Sequence, residues 1–131
     1  MRIGGTVARL LLGLMFTVFG LNGFFHFIHQ PPPSSETAMQ YMGAMAHGGM
    51  FPFIFGLQLV GGLLMLAGVF VPIALVLLGP VIVNILLFHA LMAPSEIGPG
   101  LLALVLWLVV FYGTRDSFAG IFRMRAPELR S

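Results

Sequence analysis

The chain has 131 residues, of which 59% are hydrophobic and only 8% are charged, with a formal net charge of +2 and no cysteine. A water-soluble domain carries about a quarter charged residues, so this composition excludes one and predicts a chain that lies in lipid. The lack of cysteine excludes disulfides, thiolate metal sites and dithiol redox exchange.

The six basic residues are all arginines, and none lies between Arg9 and Arg115. A nucleic-acid-binding domain would gather its basic residues on one face or along one helix, so this distribution argues against a nucleic-acid partner. Arginines that flank apolar segments usually lie on the cytoplasmic side of a membrane. We therefore expect both termini in the cytoplasm.

Four segments approach the roughly 20 apolar residues that cross a bilayer. They run over about 4–29, 50–70, 72–92 and 99–114, and the fourth is the shortest. An even number of crossings places both termini on one side, in agreement with the arginines. The prediction is an all-α polytopic membrane protein, a four-transmembrane-helix antiparallel bundle that forms a single domain over residues 1–131.

The outer connection between the first two spans contains its own helix signal. After the stiff prolines at 31–33, Ser34 or Ser35 can cap a short helix that reaches about His47. Its apolar residues recur at i, i+4 and i+7, at Ala38, Met42 and Met45. This pattern favours a short outer amphipathic helix in the membrane interface or over the bundle, and a plain ordered loop is the alternative.

Four polar or indole side chains fall at one depth in the outer half of the bundle. At about 1.5 Å of rise per residue, Asn22, Gln58 and Asn84 lie roughly 10–13 Å in, and Trp107 reaches the same layer. We expect Asn84 to face Asn22 or Gln58, and the indole N–H to find an internal partner. Polar groups at such depth line a ligand pocket or bridge neighbouring helices, and both interpretations stay open.

All four histidines also fall on the outer side, at His26, His29, His47 and His89. His26 follows Asn22 by four residues, so a helix through both would place them on one face. His89 lies at matching depth on the third span. His26 and His89, together with the four side chains at one depth, are the predicted ligand-binding residues. The full set is Asn22, His26, Gln58, Asn84, His89 and Trp107.

Metal and haem chemistry find little support in the spacing of these residues. His26 and His29 form an i, i+3 pair without an HExxH motif or a carboxylate companion, so a metal site is not predicted. Haem ligation by His26 and His89 lacks any other haem signal. The serines have no neighbouring histidine and carboxylate in a catalytic order, so no catalytic residue is assigned.

Several stretches resemble proteins of the DoxX family: FGLNGFFHF at 19–27, FGLQLVGGLLMLAG at 55–68, PVIVNILLFHALMAP at 80–94 and YGTRDSFAGIF at 112–122. The resemblance implies a four-helix bundle in a bacterial inner membrane. It also implies an association, in some members, with quinone-linked or other respiratory oxidoreductases, and related four-helix proteins act as assembly chaperones. It supplies no agreed catalytic set, and thiol chemistry of cysteine-bearing relatives cannot apply here.

Two functional hypotheses follow. The first is a polar pocket, open to the outer leaflet, that binds a quinone- or lipid-like amphiphile in an auxiliary subunit of a membrane oxidoreductase. The second is a non-enzymatic interaction or assembly factor whose polar layer is structural. The bilayer is the expected environment in both, a second copy of the chain or other membrane or redox subunits are candidate partners, and quinone is the candidate cofactor.

Overall fold

The computed structural model describes residues 2–28, 32–33 and 35–125, and within them the chain is all α with no strand. Five α-helices follow one another: α1 Ile3–Phe25, α2 Glu36–His47, α3 Met50–Ala67, α4 Val71–Met92 and α5 Gly98–Gly113. Two short 3-10 helices follow α4 and α5, at Pro94–Glu96 and Arg115–Phe122.

The four long helices form a ring in which sequence neighbours run in opposite directions. α1 packs against α3 and α5, and α4 packs against the same two helices. Gly13 of α1 borders Leu66 of α3, whereas Gly20 borders Leu59, so residue numbers rise along one helix as they fall along the other. The predicted antiparallel bundle, with a short helix between its first two spans, is confirmed. We call the end where α1 begins and α5 ends the termini face, and the opposite end the α2 face.

A seam of small residues joins α1 to α3. We define the glycine seam as Gly13, Thr17 and Gly20 of α1 with Gly62 of α3. A Cβ added to Gly62 would lie 2.6 Å from the Thr17 backbone nitrogen, and one added to Gly13 would lie 2.8 Å from that of Leu66. Only glycine therefore lets the two backbones approach this closely, as in many membrane helix pairs.

Apolar side chains fill the interior of the ring. The largest fully buried ones come from all four long helices, and they are Leu12, Met65, Leu75, Leu78, Ile82 and Val110. Large apolar side chains also cover the outside, for example Leu14, Leu63 and Val83, each about half exposed. An apolar exterior of this kind implies contact with the lipid bilayer.

Three helices, α1, α3 and α4, are long and apolar enough to cross a membrane by themselves. The fourth, α5, has 16 residues and reaches that length only together with Arg115–Phe122, from which it is bent by 84°. The bend shows that the fourth span does not continue straight into the arginine-rich tail. The described part of the chain therefore contains three spanning helices, or four if the bent pair is one span.

The first helix ends earlier than its hydropathy predicts. α1 stops at Phe25, not near residue 29, because His26 takes a left-handed conformation with φ of 51°. The next helix begins where its capping residue predicts: Ser35 accepts a hydrogen bond from the Ala38 backbone N–H at 3.0 Å. Ser34 lies outside the described residues.

Candidate functional site

Asn22 closes the end of α1. It is only 7% exposed, and its Oδ1 accepts a hydrogen bond from the Ile28 backbone N–H at 2.7 Å, while its carbonyl accepts from the His26 N–H. Because the helix ends between them, Asn22 and His26 do not share a helix face, and the prediction that they do is wrong. His26 is exposed beyond the end of the helix.

Gln58 faces the interior of the bundle. It is 6% exposed and lies on the face of α3 that also carries Gly61 and Gly62. A Cβ on Gly61 would meet Leu78 of α4, and one on Gly62 would meet Thr17 of α1. Gln58 therefore lies on the buried side of α3 between its two neighbours, one turn from the glycine seam.

Trp107 is held at the contact between α4 and α5. Its indole Nε1–H donates to the Leu75 carbonyl at 3.0 Å, and its ring stacks on Phe111 with centroids 5.3 Å apart. Its edge lies over Gly79, where a Cβ would be 3.5 Å away. The prediction of an internal partner for the indole is confirmed, and the partner is the backbone carbonyl of Leu75 on α4.

Asn84 points away from the interior. It is exposed on α4, and its Nδ2 lies 3.1 Å from the hydroxyl oxygen of Tyr41 on α2. The Tyr41 ring packs against Phe88, with centroids 5.1 Å apart. The expectation that Asn84 faces Asn22 or Gln58 is therefore wrong, because Asn84 is exposed and pairs with Tyr41 of α2, whereas Asn22 and Gln58 are buried.

The Tyr41 and Asn84 pair lies in an open groove of about 360 Å³ between α2, α3 and α4. We call it the α2 groove. Its lining residues are Tyr41, Met45, Met50, Ile54, Leu57, Pro80, Val81 and Asn84. Asn84 belongs to the six predicted site residues and Tyr41 does not. Tyr41 lies three residues after Ala38 and four before Met45, so the apolar stripe of α2 already indicated its face.

His89 lies behind this groove. Its Nδ1 is 2.8 Å from the Ile85 carbonyl oxygen, and its ring meets Phe88 edge-on with centroids 5.1 Å apart. Since a carbonyl only accepts, Nδ1 carries the hydrogen of the neutral ring and Nε2 is left as an acceptor. The Phe88 ring thus contacts both His89 and Tyr41, and of these three residues only Tyr41 lines the groove.

The six predicted residues are therefore spread over the bundle. Asn84 lines the groove and His89 flanks it, Asn22 and His26 lie at the end of α1, Gln58 faces the interior and Trp107 lies between α4 and α5. Among the residues that the structure describes, no group of three or more histidines and carboxylates lies close enough to hold a metal ion. His29, half of the i, i+3 pair, lies outside them.

Arg9 has a role that its sequence position did not indicate. Its side chain leaves α1 and its Nη1 donates to the carbonyl of Met65, with the Leu66 carbonyl 3.4 Å away. These carbonyls belong to the last turn of α3, where no further helical N–H is available. A guanidinium there satisfies them and complements the negative end of the helix dipole.

Comparison with known proteins gives one match. A sequence model of the DoxX family matches residues 4–90, which include α2, α3 and nearly all of α1 and α4. No curated protein and no solved structure matches the chain.

Proposed function

This chain belongs to the DoxX family of small integral membrane proteins, and from that premise we propose that it binds a small amphiphile in the α2 groove. The head group would be quinone- or lipid-like and would meet the Tyr41 and Asn84 pair. The apolar tail would follow the open side of the groove into the membrane.

The observation that carries this proposal is a polar pair at the edge of an apolar groove. Tyr41 and Asn84 hold one another at 3.1 Å, while Ile54, Leu57 and Val81 line the groove around them. Ligand sites typically combine apolar walls with a few placed polar groups, over about 300–1,000 Å³. A carbonyl oxygen of the ligand can accept from the Tyr41 hydroxyl or the Asn84 amide, so this pair suits a quinone or an ester.

His89 is the second contributor that we propose. Its Nε2 is the acceptor nitrogen of the neutral ring, and the ring contacts Phe88, which in turn contacts Tyr41. It suits exchange of a proton with a ligand hydroxyl or a nearby water. Asn22 and Trp107 already bond to backbone groups of the protein, so the refined site does not use them.

The cellular setting is part of the same proposal. The arginine distribution favours cytoplasmic termini in a bacterial inner membrane, which would place the α2 groove in the outer leaflet. The family resemblance favours a role for this protein as an auxiliary subunit of a quinone-linked oxidoreductase. In that arrangement the groove would hold a quinone or lipid next to a partner that performs the redox step.

The test measures binding of a short-tailed ubiquinone analogue, and it uses the fluorescence of Trp107, the only tryptophan of the chain, as the signal. Quenching of its fluorescence is titrated in detergent for wild type, Asn84→Leu and Tyr41→Phe. Loss of one hydrogen bond of about 1 kcal/mol should weaken binding about fivefold in each variant. Tyr41→Phe keeps the ring contact with Phe88, so any loss of affinity in this variant is due to the missing hydroxyl alone.

Gln58→Leu is the matched control, because it removes an amide from the buried side of α3 and leaves the groove intact. We expect it to bind the analogue as wild type does. Unchanged affinity in both groove variants would overturn the proposal. Weaker binding in Gln58→Leu alone would move the ligand to the bundle interior.

One observation favours a second candidate, an interaction or assembly factor. The interior is filled by apolar side chains, and Asn22 and Trp107 of the polar layer bond to the backbone of the chain itself. In this alternative the polar layer only fixes the bundle, and its outer faces bind other membrane proteins. Two results together would favour it. The affinity for the analogue would be the same in every variant, and membrane subunits that co-purify with the wild type would be lost when an exposed helix face is disrupted.

A further inference from the structure

A second recess lies at the termini face, far from the α2 groove. It has a volume of about 670 Å³ and opens between the start of α1 and the end of α5. We call it the basic cleft. Its lining residues are Arg2, Gly4, Gly5, Val109, Tyr112, Gly113 and Arg115. Two arginines that are far apart in the sequence therefore meet at one recess.

Arg115 is held in position by its own helix end. Its Nη1 donates to the Tyr112 carbonyl at 2.6 Å, and its guanidinium carbon lies 4.1 Å from the centre of the Tyr112 ring. These two contacts fix the plane of the guanidinium and leave its remaining N–H groups to other partners. A cation that is already ordered loses less side-chain entropy when it binds an anion.

Arg2 contributes from the other wall. It is the N-cap residue of α1 and is exposed. The first turn of α1 adds backbone N–H groups without helical partners and the positive end of the helix dipole. Arg9 contrasts with both arginines, because its guanidinium already bonds to carbonyls at the end of α3. Of these three arginines, one thus stabilises the fold and two border the recess.

We propose that the basic cleft binds the phosphate head group of an anionic phospholipid from the leaflet at the termini face. Arginine pairs suit phosphate because each guanidinium can donate two parallel hydrogen bonds. Basic pockets between membrane helices are typical binding sites for such head groups. The acyl chains have an apolar path along the exposed side of α5, over Val105, Leu108 and Val109. The depth of the cleft at the helix ends matches the head-group layer.

The experiment uses the full chain in nanodiscs that contain phosphatidylcholine and a small fraction of photo-crosslinkable phosphatidylglycerol. Crosslinking is compared between wild type and the double variant Arg2→Gln/Arg115→Gln. We expect crosslinking of the double variant to fall at least about fivefold, since two charge-assisted contacts disappear. The α2 groove is untouched, so binding of the ubiquinone analogue should stay at its wild-type value.

The matched control is Arg123→Gln/Arg125→Gln, which removes the same charge from the segment after α5, outside the cleft lining. We expect it to change crosslinking less than twofold. Equal losses in the two double variants would show diffuse attraction to anionic lipid and would overturn the proposal. The control also covers any effect of arginine removal on membrane orientation, because both variants reduce the positive charge equally.

A third variant blocks the cleft without altering charge. A Cβ at Gly4 meets no heavy atom within 4 Å, so Gly4→Phe should leave α1 intact and place its ring in the recess. Crosslinking should fall as it does in Arg2→Gln/Arg115→Gln. Wild-type crosslinking in Gly4→Phe would overturn the proposal. Soluble glycerol phosphate should displace the probe less efficiently than unlabelled phosphatidylglycerol does. Equal displacement by the two would also overturn the proposal, since it would indicate a site for free anions.

Discussion

The two sides of α3 differ in how closely other helices approach them. On the side of α1, the glycine seam brings backbones so near that a Cβ on Gly62 would lie 2.6 Å from a neighbouring nitrogen. On the side covered by α2, the α2 groove leaves about 360 Å³ open beside Ile54 and Leu57. One helix thus has a closely packed side and a side that borders an open groove, separated by about half a turn.

The difference reflects how membrane helices associate. Lipid is as apolar as the side chains, so helices gain little from burying apolar surface and depend on close van der Waals contact. The seam supplies that contact through glycine on the side of α1, and Gly61 does the same for Leu78 of α4, whereas the part of α3 that borders the α2 groove is packed less closely. We expect substitutions in the seam to alter stability and substitutions at the groove to alter binding.

The largest expected effect is at the seam, in Gly62→Ala. The added methyl cannot fit beside the Thr17 backbone, so α1 and α3 must separate, at a cost of about 1–3 kcal/mol. Unfolding in mixed micelles against increasing denaturing detergent measures this. Gly56→Ala is the control on the same helix, because a Cβ there meets nothing within 4 Å. Equal stability of the two variants would mean that the seam is looser than the structure shows.

A smaller effect is expected at the start of α2, in Ser35→Ala. The Ser35 hydroxyl donates to the Met92 carbonyl at 2.6 Å and accepts from the Ala38 N–H, so it ties the start of α2 to the end of α4. Losing this cap should cost about 1 kcal/mol, mostly as local opening of α2. Amide hydrogen exchange should speed up in α2 and stay unchanged in α1 and α3. Thr37→Ala, an exposed change in the same turn, should leave α2 protected.

Hydropathy predicted the order of the long apolar helices because lipid requires long apolar segments. It also gave depth, since rise per residue is fixed. Depth does not give direction around the helix axis. Asn84 and Gln58 were therefore assigned to the same space, whereas Asn84 is exposed beside Tyr41 of α2 and Gln58 is buried. The early end of α1 was missed because FFHF continues the apolar pattern without a glycine or proline.

The contacts at the termini face were harder to predict. Arg9 and Arg115 have the same sequence signature, an arginine near a span end, yet one caps α3 and the other borders the basic cleft. Which neighbour an arginine meets depends on how the helices are arranged in the ring, and a single sequence does not specify that order. Trp107 was more predictable because an indole N–H in an apolar layer must find an acceptor within the protein.

The smallest expected effect lies within the seam itself, at Thr17. Its hydroxyl oxygen is buried and has no hydrogen-bond partner among the described residues. A buried hydroxyl without a partner is destabilising, and valine replaces it with a methyl of similar shape. Thr17→Val should therefore leave stability unchanged or raise it by up to about 1 kcal/mol. Thr17→Ser keeps the hydroxyl and removes a methyl group, so its stability should fall below that of the wild type by roughly 1 kcal/mol. The expected order in the detergent unfolding assay is valine, threonine, serine. If serine is as stable as threonine and valine is less stable, the hydroxyl has a bonding partner in the membrane, and the seam is held by a polar contact as well as by close packing.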